Sequence, residues 1–134
     1  MKRNKSHGFT LIEVMVVIAI LGILAALVVP QLAGKDDKAR VEAVKSDLKA
    51  ISSSLEMYKL DHHSYPTTEQ GLEALAKASD SGETYLRKVP KDPWSHEYLY
   101  IAPGASGPYD LLSYGSDGAE GGEGYAKDIN LADL

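Results

Sequence analysis

The sequence predicts an α+β chain on three observations. Val41, Val44, Leu48, Ile51, Leu55 and Tyr58 recur at intervals of 3, 4, 3, 4 and 3, one face of an amphipathic helix. Residues 97–102 and 109–113 are short aromatic and aliphatic runs on either side of Pro103-Gly104-Ala105-Ser106-Gly107-Pro108, the pattern of an antiparallel hairpin with a long turn. Ahead of both lies a near-continuous apolar stretch, Phe9 to Val29, of about 20 residues, enough to cross a hydrocarbon core. One long helix packed on a small sheet follows.

Composition narrows the function classes. The chain has 134 residues, 44% hydrophobic and 25% charged, and no cysteine, which excludes a disulfide framework and Cys-ligated metal centres. A net charge of −5 argues against a nucleic-acid partner. The charge is uneven: Lys2, Arg3 and Lys5 lie in the first eight residues, whereas Lys127 is the single base against eight acids from Asp92 onward.

The basic tip before the apolar run predicts a cytoplasmic N-terminus and an outward C-terminus. The run is too long for a typical secretory signal core, and no small-x-small site with a mature start follows it. Glu13 lies inside the apolar stretch, where an acid costs about 2–3 kcal/mol or more; it is either a functional group with a partner or an interface residue that snorkels out. Pro30, at the far end, removes a backbone donor and reads as a kink or a stop. Pro30 and Gly34 should make the join to the charged helix its weak point.

Within the charged helix, which runs from Lys35 to Asp61, Ser52, Ser53 and Ser54 have no base placed by sequence, so no hydrolase triad can be argued. Adjacent His62 and His63 point in different directions and do not form a chelating pair. Tyr65-Pro66 ends the helix. Thr67 with Gln70 three residues on is a capping-box pattern opening a short helix, with Leu72 and Leu75 as its apolar face. Trp94 reads as a core anchor for the proline-punctuated segment around it. The glycine- and acid-rich stretch from Gly115 to Gly124, leading to Asp128, has the composition calcium wants, but not an EF-hand pattern. A flexible acidic loop accounts for the composition equally well.

Gly8-Phe9-Thr10-Leu11-Ile12-Glu13, between a basic leader and an apolar helix, resembles the class III signal of type IV pilins and type II secretion pseudopilins. The resemblance implies cleavage by prepilin peptidase between Gly8 and Phe9 and N-methylation of the new Phe9 amine. It implies a cleaved leader at 1–8, a transmembrane and filament-core helix at 9–34, and a periplasmic head at 35–134. Phe9, Glu13 and Pro30 become assembly residues, with Glu13 the counter-charge to a Phe9 amine in its own subunit or the next.

Three further blocks, Tyr65-Pro66-Thr67-Thr68-Glu69-Gln70-Gly71-Leu72, Val89-Pro90-Lys91-Asp92-Pro93-Trp94 and Ser113-Tyr114-Gly115-Ser116-Asp117-Gly118, resemble signatures of the major pseudopilins of type II secretion. This implies a type IV pilin-like fold whose C-terminal loop binds calcium through Asp117, Asp128 and the Tyr114 carbonyl. The family's closing Ala-Asp-Ile-Gly-Asn-Trp is here Lys127-Asp128-Ile129-Asn130-Leu131-Ala132, which makes Glu123 a substitute candidate. The function implied is structural, not enzymatic: an inner-membrane subunit that polymerises with itself and with minor pseudopilins. The platform and secretion ATPase would drive that assembly, pushing folded exoproteins through the outer-membrane secretin. The rivals are a type IV pilin forming surface fibres, against which the missing cysteines speak, and a membrane-anchored enzyme or binding module, for which no clustered catalytic groups are found.

Overall fold

The computed structural model describes residues 8–134, and side chains for all of these except 28–35. Positions 1–7 of the leader lie outside the described residues. The chain falls into two compact units with the boundary after Asp36.

Helix α1 is Leu11–His62. It runs through Pro30 and Gly34, so Pro30 is not the helix stop that its chemistry suggested. A proline inside a helix removes one N–H, here the donor that would reach the Ala26 carbonyl. Helix propagates cooperatively on both sides, from an apolar run before and an amphipathic stripe after, and one missing bond does not end it.

In the first unit every described side chain from Phe9 to Leu27 is exposed, including Leu11 at 79% and Leu27 at 63%. Among the described residues no helix is long and apolar enough to cross a membrane. The apolar run of the sequence continues to Val29, beyond the last described side chain of that stretch.

In the second unit α1 carries the expected stripe. Val44, Leu48, Ile51 and Leu55 are fully buried, worth roughly 1.5–3 kcal/mol each. Tyr58 is half-buried at the edge of this face. The three serines are structural: Ser53 and Ser54 donate back to Lys49 and Ala50 carbonyls, and Ser52 bonds the Tyr109 hydroxyl at 2.8 Å. α1 ends in His62, and His63 takes a left-handed φ of 60°, its N–H returning to the Lys59 carbonyl at 2.8 Å.

The predicted capping box is present: Thr67 N–H donates to Gln70 Oε1 at 2.9 Å, and Gln70 N–H to Thr67 Oγ1 at 3.2 Å. It caps a single turn, and α2, Glu73–Ala76, starts only after Gly71, whose φ of +59° breaks the helix there. Leu72 and Leu75 are buried as expected, and Trp94 is partly buried against the core.

Strands β1 (Leu99–Ile101) and β2 (Asp110–Ser113) form the expected antiparallel hairpin, with Tyr100 opposite Leu111. A third strand, β3 (Ile129–Asn130), adds antiparallel to β2 with Ser113 opposite Ile129. Tyr98, Tyr100 and Leu111 close the core over α1.

Three tyrosines reach across to carboxylates on α1: Tyr98 to Asp47 at 2.7 Å, Tyr65 to Glu56 at 2.6 Å and Tyr85 to Asp61 at 2.6 Å. The accepted hydroxyl protons, with some desolvation, push Tyr65 and Tyr85 up to about 12. Burial and then Asp47 push Tyr98 up further.

Candidate functional site

The residues singled out by sequence occupy two places, the start of α1 and the C-terminal loop. At the first, Gly8 and Phe9 are exposed, Phe9 at 90%, and a Cβ on Gly8 would meet no atom within 4 Å. Among the described residues, nothing covers the Gly8–Phe9 bond. Next to it Thr10 N–H donates to Glu13 Oε2 at 3.1 Å, and Glu13 N–H donates to Thr10 Oγ1 at 3.3 Å. This is a reciprocal capping box that satisfies two otherwise orphaned helix donors. It also sets a negative charge at the positive end of the helix dipole. Glu13 thus has a partner in its own chain, while Phe9, Val14, Val17 and Ile18 line an apolar groove beside it. The signal was readable as Thr-x-x-Glu before an apolar run; an acid within grease draws attention to membrane cost first.

The C-terminal loop is built from two short 3-10 turns, Gly115–Asp117 and Gly124–Ala126, packed against each other. Gly115 has φ +71°, and a Cβ there would lie 2.7 Å from the Lys127 carbonyl oxygen and 2.9 Å from that of Tyr125. Only glycine allows this approach of backbone to backbone. Asp117 Oδ1 accepts the Ala119 N–H at 3.1 Å, and Asp128 Oδ2 accepts the Gly121 N–H at 3.0 Å. The second oxygen of Asp128, Oδ1, is buried with no hydrogen-bond partner among the described residues. A buried carboxylate oxygen left bare is costly unless something positive meets it.

Tyr114 is half-buried directly before the first turn, and Glu123 is exposed directly before the second. Among the described residues no three His, Cys, Asp or Glu side chains gather as a metal cluster, so Glu123 does not join Asp117 and Asp128 in a triple-carboxylate site. The residues present fit a hard cation held by carboxylate and backbone carbonyl oxygens, the donor set calcium prefers.

The family model described as type II secretion system protein G matches residues 31–132, and the prokaryotic N-terminal methylation motif matches residues 3–29. This chain belongs to the type II secretion system protein G family. Among its relatives, a type II secretion system core protein G of Pseudomonas aeruginosa is 53% identical, covering 96% of each chain. One of Vibrio cholerae is 48% identical over 96% of this chain and 92% of the relative. The crystal structure of the major pseudopilin from the type 2 secretion system of enterohaemorrhagic Escherichia coli matches with a TM-score of 0.66 at 41% identity, covering 80% of this chain and 98% of that one. As a protein G, the chain is a structural major pseudopilin and not an enzyme, and the surface-fibre pilin is not favoured. Its α+β architecture, a long N-terminal helix on a small antiparallel sheet, is that of the matched pseudopilin.

Proposed function

We propose that prepilin peptidase cleaves this protein G between Gly8 and Phe9, that Phe9 is N-methylated, and that residues 9–34 anchor it as a single pass in the bacterial inner membrane. The N-terminus is cytoplasmic and the head periplasmic. The inner-membrane platform and secretion ATPase assemble it with itself and minor pseudopilins into a periplasmic pseudopilus that drives folded exoproteins through the secretin. The observation that carries this reading is a capped helix, its described side chains from Leu11 to Leu27 all exposed and nearly all apolar, beginning two residues after the Gly8–Phe9 bond. Such a surface calls for lipid or neighbouring helices.

Glu13 serves assembly in this reading. Its carboxylate, held at the helix start by Thr10, is placed to meet the Phe9 amine created by cleavage in its own or an adjacent subunit. Mass spectrometry of membrane-extracted protein is expected to find a methylated Phe9 at the N-terminus. An intact Met1 start in cells with active peptidase overturns the cleavage. A deletion strain is expected to lose exoprotein secretion, and Glu13→Leu to be cleaved and inserted but to restore little secretion.

The C-terminal loop holds one calcium ion through Asp117, Asp128 and the Tyr114 carbonyl, with Glu123 the substitute should Asp128 not be the second carboxylate. The bare Oδ1 of Asp128 is the supporting observation. Calcium would neutralise an acidic segment and tie the two turns together.

A further inference from the structure

Asp92 is the most buried carboxylate of the head, 4% exposed, and its bonds run in two directions. Oδ1 accepts the backbone N–H of His96 at 2.8 Å and of Trp94 at 3.1 Å, fixing the turn Asp92–His96. Oδ2 accepts the Ser113 hydroxyl at 2.9 Å, and Ser113 Oγ in turn accepts the Gly115 N–H at 3.2 Å. One arm therefore ends on the first residue of the 3-10 turn Gly115–Asp117.

The other arm ends just past the last. The His96 imidazole lies against Gly118, where a Cβ would stand 2.9 Å from its Cε1 and Nε2. Gly118 is left-handed, φ +65°, so both its conformation and its space require glycine. His96 Nδ1 faces Asp92 Oδ2 at 3.7 Å, beyond hydrogen-bond distance, so the ring is set by its backbone and by packing. Asp117 lies between the two gripped positions, Gly115 and Gly118.

We propose that Asp92, acting through Ser113 at one end and His96 at the other, is the positioning residue of the cation loop, holding the Gly115–Asp117 turn and with it the Asp117 carboxylate. This rests on the calcium reading above. A buried carboxylate whose hydrogen bonds all go to backbone N–H and hydroxyl groups is stiff, and a ligand held stiffly binds without a further ordering cost. Outer-shell partners of metal ligands characteristically carry tenfold to hundredfold in affinity.

The experiment uses the full chain in detergent micelles, titrated with calcium chloride by calorimetry and melted in chelator. Ser113→Ala and His96→Ala each cut one arm, and Ser53→Ala on the exposed helix is the control. Each cut is expected to raise the calcium Kd about tenfold or more. His96→Ala, which removes a partly exposed ring, should leave the chelator melting point close to wild type. Gly118→Ala should weaken binding less in the His96→Ala background than alone, because the ring it clashes with is gone. Wild type binding calcium with both arm variants unchanged in Kd overturns the clasp and leaves the calcium reading standing, even if their melting points fall. A wild type that gives no calcium heat overturns the calcium reading, and the clasp then has no ligand to position.

Discussion

The two halves of α1 make opposite use of the same helix. Before the unit boundary its described apolar side chains, Leu11 to Leu27, are all exposed, Ile18 at 63% and Leu21 at 58%; beyond it Val44, Leu48, Ile51 and Leu55 are wholly covered by the head. From Val14 to Val29 the first half is apolar all round and has no face to choose, whereas the second is striped and has only one face to bury. A helix that leaves its grease uncovered within one chain is complete only in company, and a striped one is complete by itself. What protein G must share with its surroundings and what it keeps for itself are thus divided along one element.

The sharpest way to break this contrast is to remove the same group from each half. Leu48→Ala is expected to destabilise the head by about 2–5 kcal/mol. Leu21→Ala should leave head stability unchanged to within about 0.5 kcal/mol, because that side chain has no covering in the subunit. Denaturant unfolding of both variants in detergent reads the difference. Equal losses would mean the halves are not independent.

A ligand should act on one half only. Calcium at a hundredfold excess over Kd is expected to stabilise the head by roughly 2.7 kcal/mol, seen as a higher melting point than in chelator. Asp128→Ala should abolish most of that shift. A shift retained in Asp128→Ala but lost in Glu123→Ala would move the second carboxylate ligand to Glu123.

The capping box belongs to the other half. Thr10→Val is expected to cost about 1 kcal/mol of local helix stability, visible as faster amide exchange in the first turn of α1 and not in the head.

The smallest effect concerns pH. Tyrosine titrates near about 10 when unfolded, whereas Tyr65 and Tyr85 are pushed up to about 12 by the carboxylates they bond. The folded state keeps these protons longer. Their contribution is whole below about pH 10 and is lost as pH rises through about 12. Tyr65→Phe and Tyr85→Phe should each flatten the alkaline decline of head stability.

Much of this architecture is legible from pattern alone. The 3-4 stripe predicts the buried face of α1, and the Pro-Gly-rich spacer predicts the hairpin, because both are local periodicities. β3 escapes such reading since two residues carry no period; it exists because Leu112 and Ser113 of β2 offer Asn130 and Ile129 an edge to pair with. Pro30 misleads because its local penalty is real but is outweighed by helix on both sides. At the candidate site, Asp117 and Asp128 are picked out by the resemblance to the pseudopilin motif, since composition alone offers Glu120 and Glu123 equally. Asp92 does not, because Ser113 and His96 become its partners only once the sheet and the turn are folded together.

The three tyrosine latches carry a mechanical consequence. Asp47, Glu56 and Asp61 span 14 positions of α1, about 21 Å along its axis at 1.5 Å per residue. A load applied along that axis slides the helix past the head and strains all three bonds in shear together, like rungs sharing one weight. A load applied across it would peel them one after another.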